Sequence, residues 1–235
     1  MLDTKKNEGQ QRLIHETAVK PFSRRKFLGI IGAGSAIMAT ASACKKDDNN
    51  NNNGGVDLGS GDTGILNYAY ALEQLEAAFY TQVIMTPYSG ISALETEYLT
   101  DIRNHEVAHR EFFKAAIGAS AIVALEVDFS SIDFTSRDSV LGTAKAFEDL
   151  GVTAYNGAGQ LISATTNGAV YLTLAGKIVS VEARHAALIA DLISNGTFAN
   201  TVDGNGLDGA RTPSEVLAIA GTYIKTKINA SNLPS

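Results

Sequence analysis

Tryptophan is absent from the 235-residue sequence, and cysteine occurs once, at Cys44. A single thiol can neither close an internal disulfide nor build a zinc or iron–sulfur site from cysteines, so both devices are excluded. No strongly apolar run marks a membrane span either. The mildly apolar stretch Gly29 to Ala43 has fifteen residues, too short and too rich in Gly, Ala and Ser to cross a bilayer as a stable helix. Positive charge is scarce beyond that stretch. Residues 1–43 carry seven Lys/Arg against three acids, leaving twelve bases against twenty-two acids from Cys44 onward. A domain this acidic repels phosphate backbones, so nucleic acid is not an expected partner. What is present is a 45% apolar composition, enough at this length to bury one substantial core with short appendages.

Ahead of the apolar stretch, Ser23-Arg24-Arg25-Lys26-Phe27-Leu28 resembles a twin-arginine export signal. That route carries proteins already folded, often with a cofactor loaded. A basic amphipathic arm, the plainer alternative, explains neither the Arg24–Arg25 pair nor the small residues that follow. Ala41-Ser42-Ala43-Cys44 resembles a lipoprotein cleavage box, with Ala41 where Leu is more usual; the alternative is ordinary cleavage near Ala43. The expectation is an export signal over 1–43, lipid on Cys44 as the only membrane attachment, and a disordered Asn-rich tether over 44–60. The expected location is the cell envelope, periplasmic or surface.

From Gly61 the chain alternates long apolar-periodic segments with Gly, Asn, Asp and Ser punctuation, which predicts four long helices. The first runs from a cap near Asp62 or Thr63 to about Met85, its apolar residues broadly on one side, and Thr86-Pro87 ends it. The second runs from about Ser92 to Ile117 and stops at Gly118. Residues 119–136 lack a long helical period and form the longest connection. The third helix spans about Asp138 to Ile162, and Thr165 to Gly168 turns into the fourth, about Ala169 to Ile193. Val170 to Leu174 and Ile178 to Val181 are β-branched enough to suggest strands, but the wider window keeps the helical period. The reading is an all-α antiparallel four-helix bundle over 61–196 with a long central crossover. A loop and a fifth helix, opened by the capping box at Thr212 to Glu215 and reaching about Ile228, fill 197–235.

One pattern occurs twice, about 75 residues apart: Glu73, Tyr80, then Glu106-x-x-His109; and Glu148, Tyr155, then Glu182-x-x-His185. The Tyr follows its Glu by seven residues in both copies, and the Glu-x-x-His follows after 33 and 34 residues. An i, i+3 spacing puts Glu and His on one helix face, so one metal can be held by both. Glu73 and Glu148 can bridge two metals or chelate one. Four carboxylates neutralise two divalent cations; without cations they would take up protons or repel one another. The plainer reading makes these ordinary solvated helix Glu. Two matched motifs, each set among apolar neighbours such as Ala71, Leu72, Phe147 and Leu150, favour a buried site.

The repeat also ranks neighbours. Glu76 corresponds to Gly151 and is kept as an alternative ligand behind Glu73, which pairs with Glu148. His105 corresponds to Val181 and is left out of the ligand set, either as a residue behind the ligands that supports one of them or as a surface histidine. Tyr80 and Tyr155 lie two turns beyond Glu73 and Glu148, placed either to bond the ligand carboxylates or simply to fill the core.

Leu72-Glu-Gln-Leu-Glu-Ala-Ala-Phe-Tyr80, Ala154-Tyr-Asn-Gly157 and Val181-Glu-Ala-Arg-His-Ala186 resemble ferritin-like proteins, most closely an exported subgroup that includes plant desiccation-related proteins. The resemblance covers roughly residues 60–195. It implies a carboxylate-bridged di-iron or di-manganese centre, with Glu73, Glu106, His109, Glu148, Glu182 and His185 at the ligand positions. Storage cages of that family usually lack the second Glu-x-x-His, so the set is closer to rubrerythrin-type or manganese-catalase-type centres, although the cysteine-rich electron-transfer module of rubrerythrins is missing. Peroxidase, catalase or ferroxidase-like chemistry on peroxide or dioxygen follows as the expected activity. The alternatives are a metal-stapled, non-catalytic stress protein of the envelope and a metal-free structural lipoprotein. A homodimer is allowed but not required.

Overall fold

The computed structural model describes residues 54–235. The export signal with Arg24 and Arg25, Cys44, and the Asn run through Asn53 lie outside the described residues. Four helices dominate the rest: α1 Gly61–Met85, α2 Ala93–Ile117, α3 Arg137–Gly159 and α4 Thr166–Ile193, followed by a shorter α5 Pro213–Ala220. A two-residue strand β1, Val56–Asp57, pairs in parallel with β2, Ile228–Asn229. No helix among the described residues is long and apolar enough to cross a membrane.

Local chemistry starts and stops the helices. The Ser92 hydroxyl accepts from the Glu95 N–H at 3.1 Å and the Glu95 carboxylate accepts from the Ser92 N–H at 3.0 Å, a reciprocal capping box opening α2. Gly118 ends α2 at a φ of 63°, a conformation that disfavours any side chain. Ser136 and Thr165 cap α3 and α4 through hydroxyls that accept from Ser139 and Gly168. Along their length α1 packs against α2, and α3 against α4. Polar ties close each end of the bundle. At one, Asp62 accepts from the backbone and hydroxyl of Ser163 at 2.8 and 2.7 Å. At the other, Arg137 bonds Glu95 and the carbonyl of Leu192, both at 2.7 Å.

Helix α1 differs from the one-sided helix its spacing suggests. Asn67 through Ala77 are all buried. It packs against α2 and α3, and the crossover after α2 and the C-terminal segment cover it besides. Phe79 packs edge-on to Phe129 of the crossover at 6.0 Å and to Phe147 of α3 at 5.1 Å. Asn67 ties the layers together. Its amide donates to the carbonyls of Leu58 at 3.0 Å and Ser120 at 2.9 Å, and its oxygen accepts from Ile122 N–H at 3.0 Å.

Two expectations are corrected. Residues 54–60 belong to the domain rather than to a disordered tether. Val56 N–H donates to Lys227 at 2.8 Å, Leu58 N–H to Asn229 at 3.1 Å, and the Leu58 side chain is buried. Backbone pairing with a segment far along the chain supplies the order that local composition does not. The fifth helix stops at Ala220 instead of near Ile228, because the chain beyond it turns extended to pair with others. Asp128 N–H donates to Tyr223 and Lys225 N–H to Glu126, both at 2.8 Å, before β2 reaches β1. Gly157 permits a further close approach, since a Cβ there would fall 1.8 Å from the carbonyl oxygen of Arg211.

The Asn67→Ala change strands two carbonyls and one N–H in the layer over α1. It is expected to lower stability by about 2–3 kcal/mol, read as a lower midpoint in urea without loss of helical circular dichroism.

Candidate metal centre

The interior of the bundle carries acid where a core is normally apolar. Glu73, Glu106, Glu148 and Glu182 are each 0% exposed, one from each long helix, and His185 is buried with them. His109 is the most open of the six, its side chain 12% exposed. All six residues singled out by the repeat converge on one place.

They fall into two overlapping groups, each able to hold a metal ion. Glu73, Glu106, His109 and Glu182 form one, and Glu106, Glu148, Glu182 and His185 the other, with candidate ligand atoms within 4.8 Å of one another in each. Nδ1 of His109 stands 2.8 Å from Glu182 Oε1 and 3.4 Å from both Glu73 Oε2 and Glu106 Oε2. Nδ1 of His185 stands 2.9 Å from Glu106 Oε1, 3.4 Å from Glu148 Oε2 and 3.5 Å from Glu182 Oε2. Glu106 and Glu182 therefore turn one oxygen to each group, whereas Glu73 and Glu148 serve one group apiece. The carboxylates shared between the two groups are thus those of the Glu-x-x-His pairs, and not Glu73 or Glu148.

The cross-pairings also fix helix direction. His109 meets Glu182 while His185 meets Glu106, so α2 and α4 run antiparallel at the site. Tyr80 of α1 donates its hydroxyl to Glu148 Oε1 of α3, and Tyr155 of α3 donates to Glu73 Oε1 of α1, so this pair is antiparallel too. Each Tyr serves the Glu of the other half, and both side chains are buried, so the two roles left open for them are filled together. Burial first, and the neighbouring carboxylate second, push both phenols well above their ordinary range and keep them as O–H donors.

With Oε1 of Glu73 and Glu148 taken by tyrosine, their Oε2 atoms, both carboxylate oxygens of Glu106 and Glu182, and both histidine Nδ1 atoms are left without an aligned hydrogen bond. Buried atoms of that kind are costly unless something satisfies them. A cation of oxygen and imidazole preference does so, and the donor set fits one. In its absence protons must serve. Burial raises Glu73 well above the carboxylate range and Glu148 to about 8. Burial opposes charge on the histidines, but the carboxylates outweigh it and hold both near 12. The Glu106 carboxyl, pushed up by burial, is pulled down more strongly by His109 and His185, to about 2.

Two neighbours break the twofold match. Glu76 is buried beside the site but joins neither group among the described residues. Its Oε1 lies close to Gly151, where an added Cβ would sit 3.2 Å away, a tight contact that would push the Glu76 side chain by a few tenths of an ångström. Leu72, Leu75, Phe147 and Leu150 enclose with these two a cavity of about 10 Å³, room for roughly one water. Burial, then the four surrounding Glu, raise the Glu76 carboxyl well above its usual range. His105, left on sequence grounds either behind the ligands or on the surface, takes the first place, with Nδ1 2.9 Å from Nε2 of His185 and the rings stacked 5.2 Å apart. Its position one turn before His109 hinted at this; the contact itself comes from α4, which sequence spacing on α2 cannot reveal.

The proton accounting carries a pH dependence. Glu73, Glu76, Glu148, His109 and His185 all bind protons more tightly folded than unfolded, so their contribution is present at low pH and declines as pH rises from the unfolded values toward the folded ones. Glu106 acts oppositely, but only as pH falls below the usual carboxylate range toward 2. Between about pH 5.5 and 8.5 the metal-free protein is expected to lose ~8 °C or more in melting temperature, which one net proton of differential binding already produces. A flat or rising melting profile by circular dichroism would contradict the burial of these acids.

Residues 61–195 match the protein family described as Ferritin-like domain. A comparison with curated proteins finds no match.

Proposed function

The chain belongs to the ferritin-like domain family, and from that premise we propose that it holds a dinuclear iron or manganese centre and works as an envelope oxidoreductase, reducing peroxide or oxidising ferrous iron. The observation that carries this reading is the sharing of Glu106 and Glu182, each with one oxygen toward His109 and one toward His185. Sharing by two carboxylates suits a pair of ions a few ångströms apart, and mixed oxygen and imidazole donors suit Fe and Mn over softer metals. Such a pair would supply two-electron redox chemistry without an organic cofactor. The protein's own part is positional. Tyr80 and Tyr155 hold Glu148 and Glu73 in orientation, the two histidines present Nδ1 inward, and the phenylalanines around Phe79 keep bulk water from the carboxylates.

A second reading has support of its own. The four acids have no exposed surface, and the cavity beside Glu76 admits about one water. Metal there would act chiefly as a staple between helices, with no steady-state turnover. The two readings separate cleanly. Protein purified from its own envelope is expected to contain about two Fe or Mn per chain by elemental analysis. Glu148→Ala and His185→Ala should each lose at least half of that metal and lower peroxide or ferroxidase turnover by about 100-fold or more. Full metal, strong stabilisation by it and no turnover in the native protein would select the staple.

The address of the protein rests on the order Arg24-Arg25, apolar stretch, Ala43-Cys44. Lipid on Cys44 would hold the acidic domain at a membrane face through the Asn-rich spacer. Cys44→Ala is expected to move the protein from the membrane to the soluble fraction and to abolish incorporation of labelled palmitate; membrane retention without label would refute the anchor.

A further inference from the structure

The two halves of the site differ at the outer edge of their histidines. Both His109 and His185 turn Nδ1 toward the carboxylates, which leaves Nε2 of each ring pointing away from them. Nε2 of His185 lies 2.9 Å from Nδ1 of His105, and the two rings are nearly parallel, 7° apart in plane. The residue in the equivalent slot on α4 is Val181, which has no polar side-chain atom. No described side chain hydrogen-bonds Nε2 of His109, and the His109 side chain is 12% exposed against 5% for His185.

The chemistry of an imidazole ligand makes this difference consequential. A ring that offers its Nδ1 lone pair to a cation must carry its proton on Nε2. At His185 that N–H finds an acceptor in His105 Nδ1, so ring orientation is set before a cation arrives, Nε2 keeps its proton when Nδ1 gives its own up to the cation, and the ring becomes more basic. At His109 no side chain among the described residues accepts, so the ring is held less firmly. Outer partners of this kind typically change metal affinity by about 10–100-fold.

We propose that His105 is a positioning residue that makes the two metal positions unequal, so that the position among Glu106, Glu148, Glu182 and His185 fills first and the His109 position second. The inference rests on the dinuclear reading above and adds an order of loading to it. Because His105 is exposed, its replacement does not leave a hole in the core.

The test uses the full chain, stripped of metal and titrated with Mn²⁺ alone. Calorimetry reads the two binding steps, and anomalous diffraction from crystals holding one equivalent reads which position is occupied. In the wild-type protein the ion is expected beside His185. His105→Ala should weaken the first step by about 10–100-fold and shift the ion to the His109 position or divide it between the two. His105→Gln, whose amide oxygen can accept the same N–H, should restore the order; a merely structural role for the ring would show no such rescue. Val181→His should strengthen the second step by giving His109 a partner. An even division or His109-first loading in the wild type, or a His105→Ala protein that keeps the wild-type order, overturns the proposal while leaving a two-metal centre intact. Failure of the wild-type protein to take up Mn²⁺ or Fe²⁺ at either position removes the centre itself, and the inference with it.

Discussion

Everything in this structure answers to the burial of four carboxylates at one level of a helical bundle. Four like charges away from water are untenable alone, and the arrangement around them is a set of answers to that problem. Two tyrosine hydroxyls satisfy one oxygen each on Glu73 and Glu148. Two histidines stand against the remainder. Glu106 and Glu182 are divided between halves, so that any positive species in one half is felt by the other. The capacity to hold a cation follows from this geometry more directly than from any single motif, because the same eight atoms that lack aligned hydrogen bonds are the ones that converge.

Antiparallel pairing is what allows one spacing to be used twice. With α1 against α3 and α2 against α4 reversed, a Tyr seven residues past its Glu reaches the Glu of the opposite helix, and a His three residues past its Glu does likewise. A parallel pairing of the same segments would separate these partners by two turns and one turn. The near-twofold symmetry then makes its two violations informative. Glu76 faces Gly151, where a larger side chain would crowd it, and His105 faces His185 where the other half has Val181 on its own helix. Each places extra polar chemistry on one side only.

The helix that supplies Glu73, Tyr80 and Glu76 pays no attention to amphipathic design. Asn67 through Ala77 have no solvent face, because the crossover and the C-terminal segment form an outer layer over them, pinned by Asn67 and by the β1–β2 pair. This layer is why residues 54–60 are ordered and why the chain beyond Ala220 leaves the helix. It also keeps water off the back of α1, which preserves the low-dielectric setting that raises the acids and tyrosines around the centre.

Helix existence, the caps at Ser92, Gly118 and Thr212 and the six converging residues were legible in the chain, since 3.6-residue periodicity, Ser92 with Glu95, Gly118 and the repeated Glu-x-x-His are local signals that hold before any tertiary contact forms, whereas α1 starts after Ser60 and not with Asp62 or Thr63 as its cap. The choice of Glu73 over Glu76 could likewise be read from the repeat. Other features could not. Which carboxylates are shared, which Tyr serves which Glu, and whether His105 touches the site depend on helices meeting at a particular register across more than fifty residues of sequence. The order of 54–60 and the early end of α5 depend on backbone pairing between segments about 170 and about 100 residues apart. The sequence by itself determined the helices and the residue types at the centre, because periodicity and spacing are properties of the chain. Only the tertiary structure decided how those residues divide the work, because sharing, pairing and burial arise from elements the chain brings together from a distance.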